Sequence, residues 1–297
     1  MRNNTLFVLA IVSMIFYSCK DTDAQDEPVK IKDTSGNLNI SILLDLSDRI
    51  SPKKYPNPTM EYYLRDVGYI NSISEAFNAH IRGKKIKQID DNIQLFFDPA
   101  PLKPEINAIS KDLKIRLDKE NVSNGRIAEL ERKYKEEPKK LYQLAIADDH
   151  YIGSDTWKFF KTKVNDHCIE ENHRNILIIL TDGYIYYENS LMQEGNETSY
   201  LTPALIRKNG LTTSDWSTKL NNGKFGFIKA NDDLSHLEIL VLGINPDKKN
   251  PYEEDVIKAY WTNWFETMKV KRYEIRSGEL PSDADKIIKD FILNKKP

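Results

Sequence analysis

Three short stretches of the 297-residue chain carry oxygen-bearing side chains at the places where an α/β sheet presents ligands. They are Asp45-Leu46-Ser47-Asp48-Arg49, Gly153-Ser154-Asp155-Thr156 and Thr181-Asp182-Gly183. The first and third follow directly on apolar runs over 38–46 and 175–180, and the second precedes a helical stretch. Ligands of open α/β sheets bind just beyond the carboxyl ends of the strands. A carboxylate with hydroxyls on one such loop, a hydroxyl on a second and a carboxylate on a third can therefore converge on one point. Oxygen-only donors suit Mg²⁺ or another hard divalent cation. The candidate ligands are Asp45, Ser47, Ser154, Thr156 and Asp182, with Asp48, Arg49 and Gly183 as binding positions beside them. Arg49 cuts against a cation, because a guanidinium has no lone pair to offer and its charge repels one. It could pair with Asp45 or Asp182 instead, so both a metal-holding and a metal-free pocket stay open.

Other chemistry finds less support. Asp148-Asp149-His150 has ligand-type residues, but three adjacent side chains seldom converge, and a solvated loop is expected. Cys168 reads as a small buried apolar residue. No nucleophile elbow, no H-E-x-x-H and no phosphate-binding glycine loop occurs, and two cysteines lack zinc spacing.

The elements that must position the three loops are legible as strands alternating with helices. Strands are expected over 38–46, 93–97, 176–181, 237–243 and 270–275. The runs at 40–46, 175–180 and 237–242 are almost continuously apolar, as parallel strands buried on both faces are. A helix is expected over 58–82, where Met60, Tyr63, Val67, Ile70, Phe77 and Ile81 share a face and Gly83 ends it. Residues 101–147 are highly charged with two thin apolar stripes around a turn at Asn124-Gly125, which predicts an inserted helical hairpin. Residues 188–234 read as long loops with short helices. Asn250, Pro251 and Glu253 form a helix-start pattern. Beyond it Val256, Ile257, Tyr260, Trp261, Trp264 and Phe265 make a face expected to be core. Ser282 is expected to cap a last helix. The fold class predicted is α/β, a mostly parallel central sheet flanked by helices.

With these motifs in place the chain resembles a von Willebrand factor A domain. Asp45-Leu46-Ser47 after the first strand is similar to the opening of that family's DxSxS loop, and Thr181-Asp182-Gly183 to its T-D-G turn. Gly153-Ser154-Asp155 resembles its threonine loop, with Ser154 in the threonine's place and Thr156 as an alternative donor. Arg49 departs from the pattern at the second serine. The resemblance covers 38–295 and implies a Rossmann-like sheet and a metal-ion-dependent adhesion site. It also implies docking of a protein or peptide partner, often through an acidic residue that completes the metal shell.

The N-terminus adds an address. Arg2 and an apolar stretch over 6–16 form a signal peptide, expected over 1–18, too short to span a bilayer. Ser18-Cys19 at its end resembles a bacterial lipobox, which implies cleavage before Cys19 and a lipid on that cysteine. Residues 19–37 are polar and acidic and read as a flexible tether. The domain expected over 38–297 would then sit at the outer membrane, on its periplasmic or outer surface, touching membrane only through the lipid. A formal net charge of -2, with acids and bases interspersed, gives no basis for nucleic-acid binding. The leading expectation is a membrane-anchored binding module. Its rivals are a metal-dependent hydrolase of phosphate or ester substrates and a metal-free scaffold of an envelope complex.

Overall fold

The computed structural model describes residues 36–151 and 153–294. The signal peptide, Cys19 and the tether up to residue 35 lie outside the described residues. In chain order the elements are β1 (Leu38–Leu44), α1 (Tyr62–Arg82), β2 (Asp90–Phe97), α2 (Pro104–Asp112), β3 (Ile115–Asp118) and α3 (Asn124–Asp148). There follow α4 (Thr156–Thr162), α5 (Val164–Cys168), β4 (Arg174–Leu180), β5 (Gln193–Glu194), β6 (Glu197–Thr198), α6 (Pro203–Lys208) and α7 (Trp216–Gly223). The chain continues through β7 (Gly226–Phe227), β8 (Leu237–Ile244), α8 (Glu253–Thr267), β9 (Arg272–Ser277) and α9 (Pro281–Leu293).

The central sheet has six strands in the order β3-β2-β1-β4-β8-β9, and only β3 is antiparallel to its neighbour. This is the mixed α/β architecture expected from the alternation of strands and helices. Every residue of β1 and β8 is buried. Their side chains alternate between two core layers, as a period of two demands. Ile40, Ile42, Ile176, Ile178 and Leu240 face one layer with Ile70 and Phe77 of α1, Tyr134 and Leu141 of α3 and Phe291 of α9. Leu43, Leu177, Ile179, Ile239 and Val241 face the other with Phe159 and Phe160 of α4 and Trp261, Trp264 and Phe265 of α8. The broad apolar face of α8 is thus core, with Trp261 and Trp264 edge-on at a centroid distance of 5.7 Å and Trp264 and Phe265 stacked at 6.1 Å. Cys168 is fully buried, and burial pushes its thiol up to about 12, so it is inert packing.

From β1 the chain runs outward to β2 and β3, then returns to lay β4 on the other side of β1. The strand order therefore reverses between β1 and β4, and a crevice opens at their carboxyl ends.

Several local expectations are corrected. The segment 101–147 is helix–strand–helix rather than a helical hairpin: β3 lies between α2 and α3 and closes the sheet edge against β2. Asn124-Gly125 is not a turn but the first turn of α3, because the Ser123 side chain accepts from the Arg126 N–H at 3.1 Å and caps the helix. Ile127, Leu130, Tyr134 and Leu141 are buried, so α3 is a layer of the fold. Within 188–234 the chain also forms a small sheet, β5-β6-β7. α8 starts at Glu253, after a turn in which the Asn250 side chain accepts from the Tyr252 N–H at 3.1 Å and donates to Glu253 at 2.9 Å. α9 starts at Pro281, not after a Ser282 cap. Among the described residues no helix is long and apolar enough to cross a membrane.

Candidate functional site

The crevice between β1 and β4 is built from its backbone outward. β1 ends one residue before Asp45, whose N–H still donates to Leu180 O of β4 at 3.0 Å. The Asp45 carboxylate then ties two loops together. Oδ1 accepts from the Ser47 N–H at 2.9 Å, and Oδ2 accepts from the Thr181 hydroxyl at 2.9 Å. Thr181 Oγ1 in turn accepts from the Gly183 N–H at 3.1 Å. Gly183 makes this turn possible. Its φ is +98°, and a Cβ there would sit 2.6 Å from Ile257 and 2.7 Å from Ile244. Trp261 Nε1 donates to its carbonyl at 2.8 Å and so anchors the turn to α8.

Asp182, between those two residues, accepts from the Tyr184 N–H through Oδ1 at 3.1 Å. Its Oδ2 has no hydrogen bond among the described residues. Burial, and next the Asp45 carboxylate, push its pKa up to about 7, although Arg49 opposes them. The third loop brings Ser154, whose Oγ lies 2.9 Å from the Thr156 hydroxyl. Asp155 caps α4 by accepting from the Lys158 N–H at 3.2 Å.

These loops open on a cleft of about 1110 Å³. Asp45, Ser47, Asp48, Arg49, Ser154 and Asp182 line it. Of the eight site positions singled out in the sequence, Thr156 and Gly183 do not: Thr156 is buried beside Ser154, and Gly183 shapes the turn. Asp48 reaches the wall, where it pairs with Lys54 at 3.2 Å, and Lys54 lies 5.0 Å from the centre of the Tyr151 ring. His150 and its acidic neighbours contribute nothing to the lining. Six tyrosines do: Tyr55, Tyr62, Tyr151, Tyr184, Tyr186 and Tyr187. Tyr55 and Tyr186 are the most open of these, at 47% and 48% exposed.

Arg49 pairs with Asp45, one of the two partners expected, and makes no ion pair with Asp182 among the described residues. It is buried, and its NH2 group donates to Asp66 Oδ2 at 2.6 Å and to Leu180 O at 2.8 Å. Nε donates to Asp45 O at 3.2 Å and lies 3.5 Å from Asp45 Oδ2. Tyr142 of α3 donates to the same Asp66 Oδ2 at 2.8 Å. Burial disfavours the guanidinium charge, but Asp66 and Asp45 outweigh it and raise the pKa of Arg49, so it stays charged. Asp66 and Tyr142 did not stand out in the sequence. The signal for Asp66 was a lone carboxylate inside the apolar stripe of α1, between Tyr63 and Ile70.

The donors present fit a divalent cation. They are all oxygen, one carboxylate oxygen is unpartnered, and the charge of Arg49 is divided between Asp45 and Asp66, so the two carboxylates are only partly compensated. Ser47, Ser154 and Asp182 are the residues that would hold the ion, with Asp45 orienting the loop beneath it. Among the described residues no group of three or more His, Cys, Asp or Glu side chains forms an alternative centre.

No family model and no curated protein matches the chain. Solved structures similar to it include an aerotolerance-related membrane protein from Bacteroides fragilis carrying multiple mutations to serine. That pair shares 11% identity, with 87% of this chain and 100% of the other covered, at a TM-score of 0.38. The pilus adhesin SpaC from Lactobacillus rhamnosus GG shares 10% identity over 87% of this chain and 30% of its own, at a TM-score of 0.40. The conserved hypothetical protein BatB from Bacteroides thetaiotaomicron shares 10% identity over 87% of this chain and 98% of its own, at a TM-score of 0.36.

Proposed function

We propose that this chain is a lipid-anchored, von Willebrand factor A-like binding module of the bacterial envelope. It docks a protein or peptide partner in the tyrosine-lined cleft through a divalent cation held by Ser47, Ser154 and Asp182. The observation that carries this reading is that Asp45 and Asp182 line one cleft at the switch point, with the charge of Arg49 divided between Asp45 and Asp66. When bound, the cation supplies an open coordination position for an acidic side chain of the partner. The tyrosines suit such docking, since each offers apolar area and a hydroxyl with little side-chain entropy to lose. The signal peptide, Cys19 and the acidic run after it support attachment to the outer membrane by lipid alone. The near-neutral charge supports a partner that is not nucleic acid.

The test is a thermal melt with and without Mg²⁺ or Mn²⁺, run beside a generic esterase and phosphatase screen. Saturating cation at about a hundred times Kd should raise Tm by about 5–10 °C, with no turnover. Turnover would favour a metal-dependent hydrolase. Neither stabilisation nor turnover would favour the metal-free scaffold.

A further inference from the structure

We infer that Asp66 is the positioning residue that makes the strand-end site able to hold a cation, by taking up part of the charge of Arg49 beneath the cleft. The inference rests on the cation reading above and adds the reason why an arginine in the loop is compatible with it.

Arg49 follows Ser47 by two residues and lines the same cleft, so an unpaired guanidinium there would repel an incoming cation. The structure gives its donors other work. NH2 is shared between Asp66 Oδ2 at 2.6 Å and Leu180 O at 2.8 Å, and Nε meets Asp45 O at 3.2 Å. Two of these acceptors are main-chain carbonyls at the ends of β1 and β4, so the side chain is fixed to the sheet frame rather than to the loop. The short contact to Asp66 is a charge-assisted one. Tyr142 donates to the same oxygen from the other side at 2.8 Å, which fixes Asp66 in turn.

Asp66 is a carboxylate set among apolar neighbours. It is 1% exposed, on the face of α1 that also buries Tyr69, Ile70 and Ile73. A carboxylate in such a layer is costly unless paired, and an apolar pair of similar volume is often as stable as a buried ion pair. Stability alone therefore does not call for Arg49 and Asp66 together. Their effect on charge at the cleft does. With both present Asp66 takes up part of the Arg49 charge, and the field at the cleft is net negative, since Asp45, Asp66 and Asp182 face a single guanidinium. With Asp66 neutral, the full positive charge of Arg49 stands beside Asp45, 3.5 Å from its Oδ2, and opposes the ion.

The experiment is isothermal titration calorimetry of Mn²⁺ into the full-length protein in detergent, as wild type, Asp66→Asn, Tyr142→Phe and Asp66→Asn/Arg49→Gln. Asp66→Asn should weaken Mn²⁺ binding by about tenfold or more, because an uncompensated charge acts at short range in a poorly screened site. The double variant carries neither buried charge and should return to within about threefold of wild type, a rescue that a purely structural role for Asp66 does not produce. Tyr142→Phe keeps the ring and frees one hydrogen bond on Asp66, so it should weaken binding by about threefold. It keeps the inference testable should Asp66→Asn fail to fold. Wild-type affinity in Asp66→Asn, or a double variant as weak as the single one, overturns the inference and leaves the cation reading standing. A wild type that binds no Mn²⁺ overturns both.

Discussion

Replacing Asp182 by Asn should stabilise the cation-free protein at neutral pH. Burial and the Asp45 carboxylate raise the Asp182 carboxyl from 3.8 to about 7. A group whose folded-state pKa is raised contributes stability that is complete below the unfolded value and is lost as pH rises through the folded value. The folded protein therefore loses stability between about pH 4 and about pH 7, and the loss is complete above that. At about 1.4 kcal/mol per unit, the ceiling of the penalty is about 4 kcal/mol. The side chain is partly open to the cleft, and water there screens it, which brings the expected value to about 2 kcal/mol. Asn keeps an oxygen to accept from the Tyr184 N–H and carries no charge. Urea unfolding in EDTA should thus show Asp182→Asn more stable than wild type by about 2 kcal/mol near pH 8, with the difference closing towards pH 4. A variant less stable than wild type near pH 8, or a difference that does not change with pH, would refute the electrostatic account of the site.

Three further outcomes follow from the same geometry and from the N-terminus. Gly183→Ala should cost about 3 kcal/mol in urea unfolding, because the turn needs a positive φ and the new methyl meets Ile257 and Ile244. Trp261→Phe should cost about 2 kcal/mol by leaving the Gly183 carbonyl without its donor, with the loss read in the same assay. Cys19→Ala should abolish labelling by a lipid precursor and move the protein from the membrane to the soluble fraction. Unchanged fractionation would count against the anchor.

What the sequence determined by itself is what depends on near neighbours in the chain. β1, β4 and β8 are legible because strands covered on both faces are apolar at nearly every position, and the turns that end them carry their polar residues immediately after. The same holds for α8, whose apolar face is broad enough to imply burial whatever covers it. β3 was not legible, since Ile115 and Leu117 alternate with Arg116 and Asp118 over too few residues to show a period. The two-residue strands β5, β6 and β7 were hidden for the same reason. The candidate site divides along the same line. Asp45, Ser47, Ser154 and Asp182 could be placed together because each follows a strand end or opens a helix. The burial of Thr156 beside Ser154, and the convergence of six tyrosines from separate loops, could not. Arg49 could be matched with Asp45 from its own loop, but its pairing with Asp66 could not, because Asp66 lies 17 residues away on α1 and is held by Tyr142, 76 residues further on. Local pattern reports which side of an element is buried; which charge meets which inside the protein is settled only when the helices pack onto the sheet.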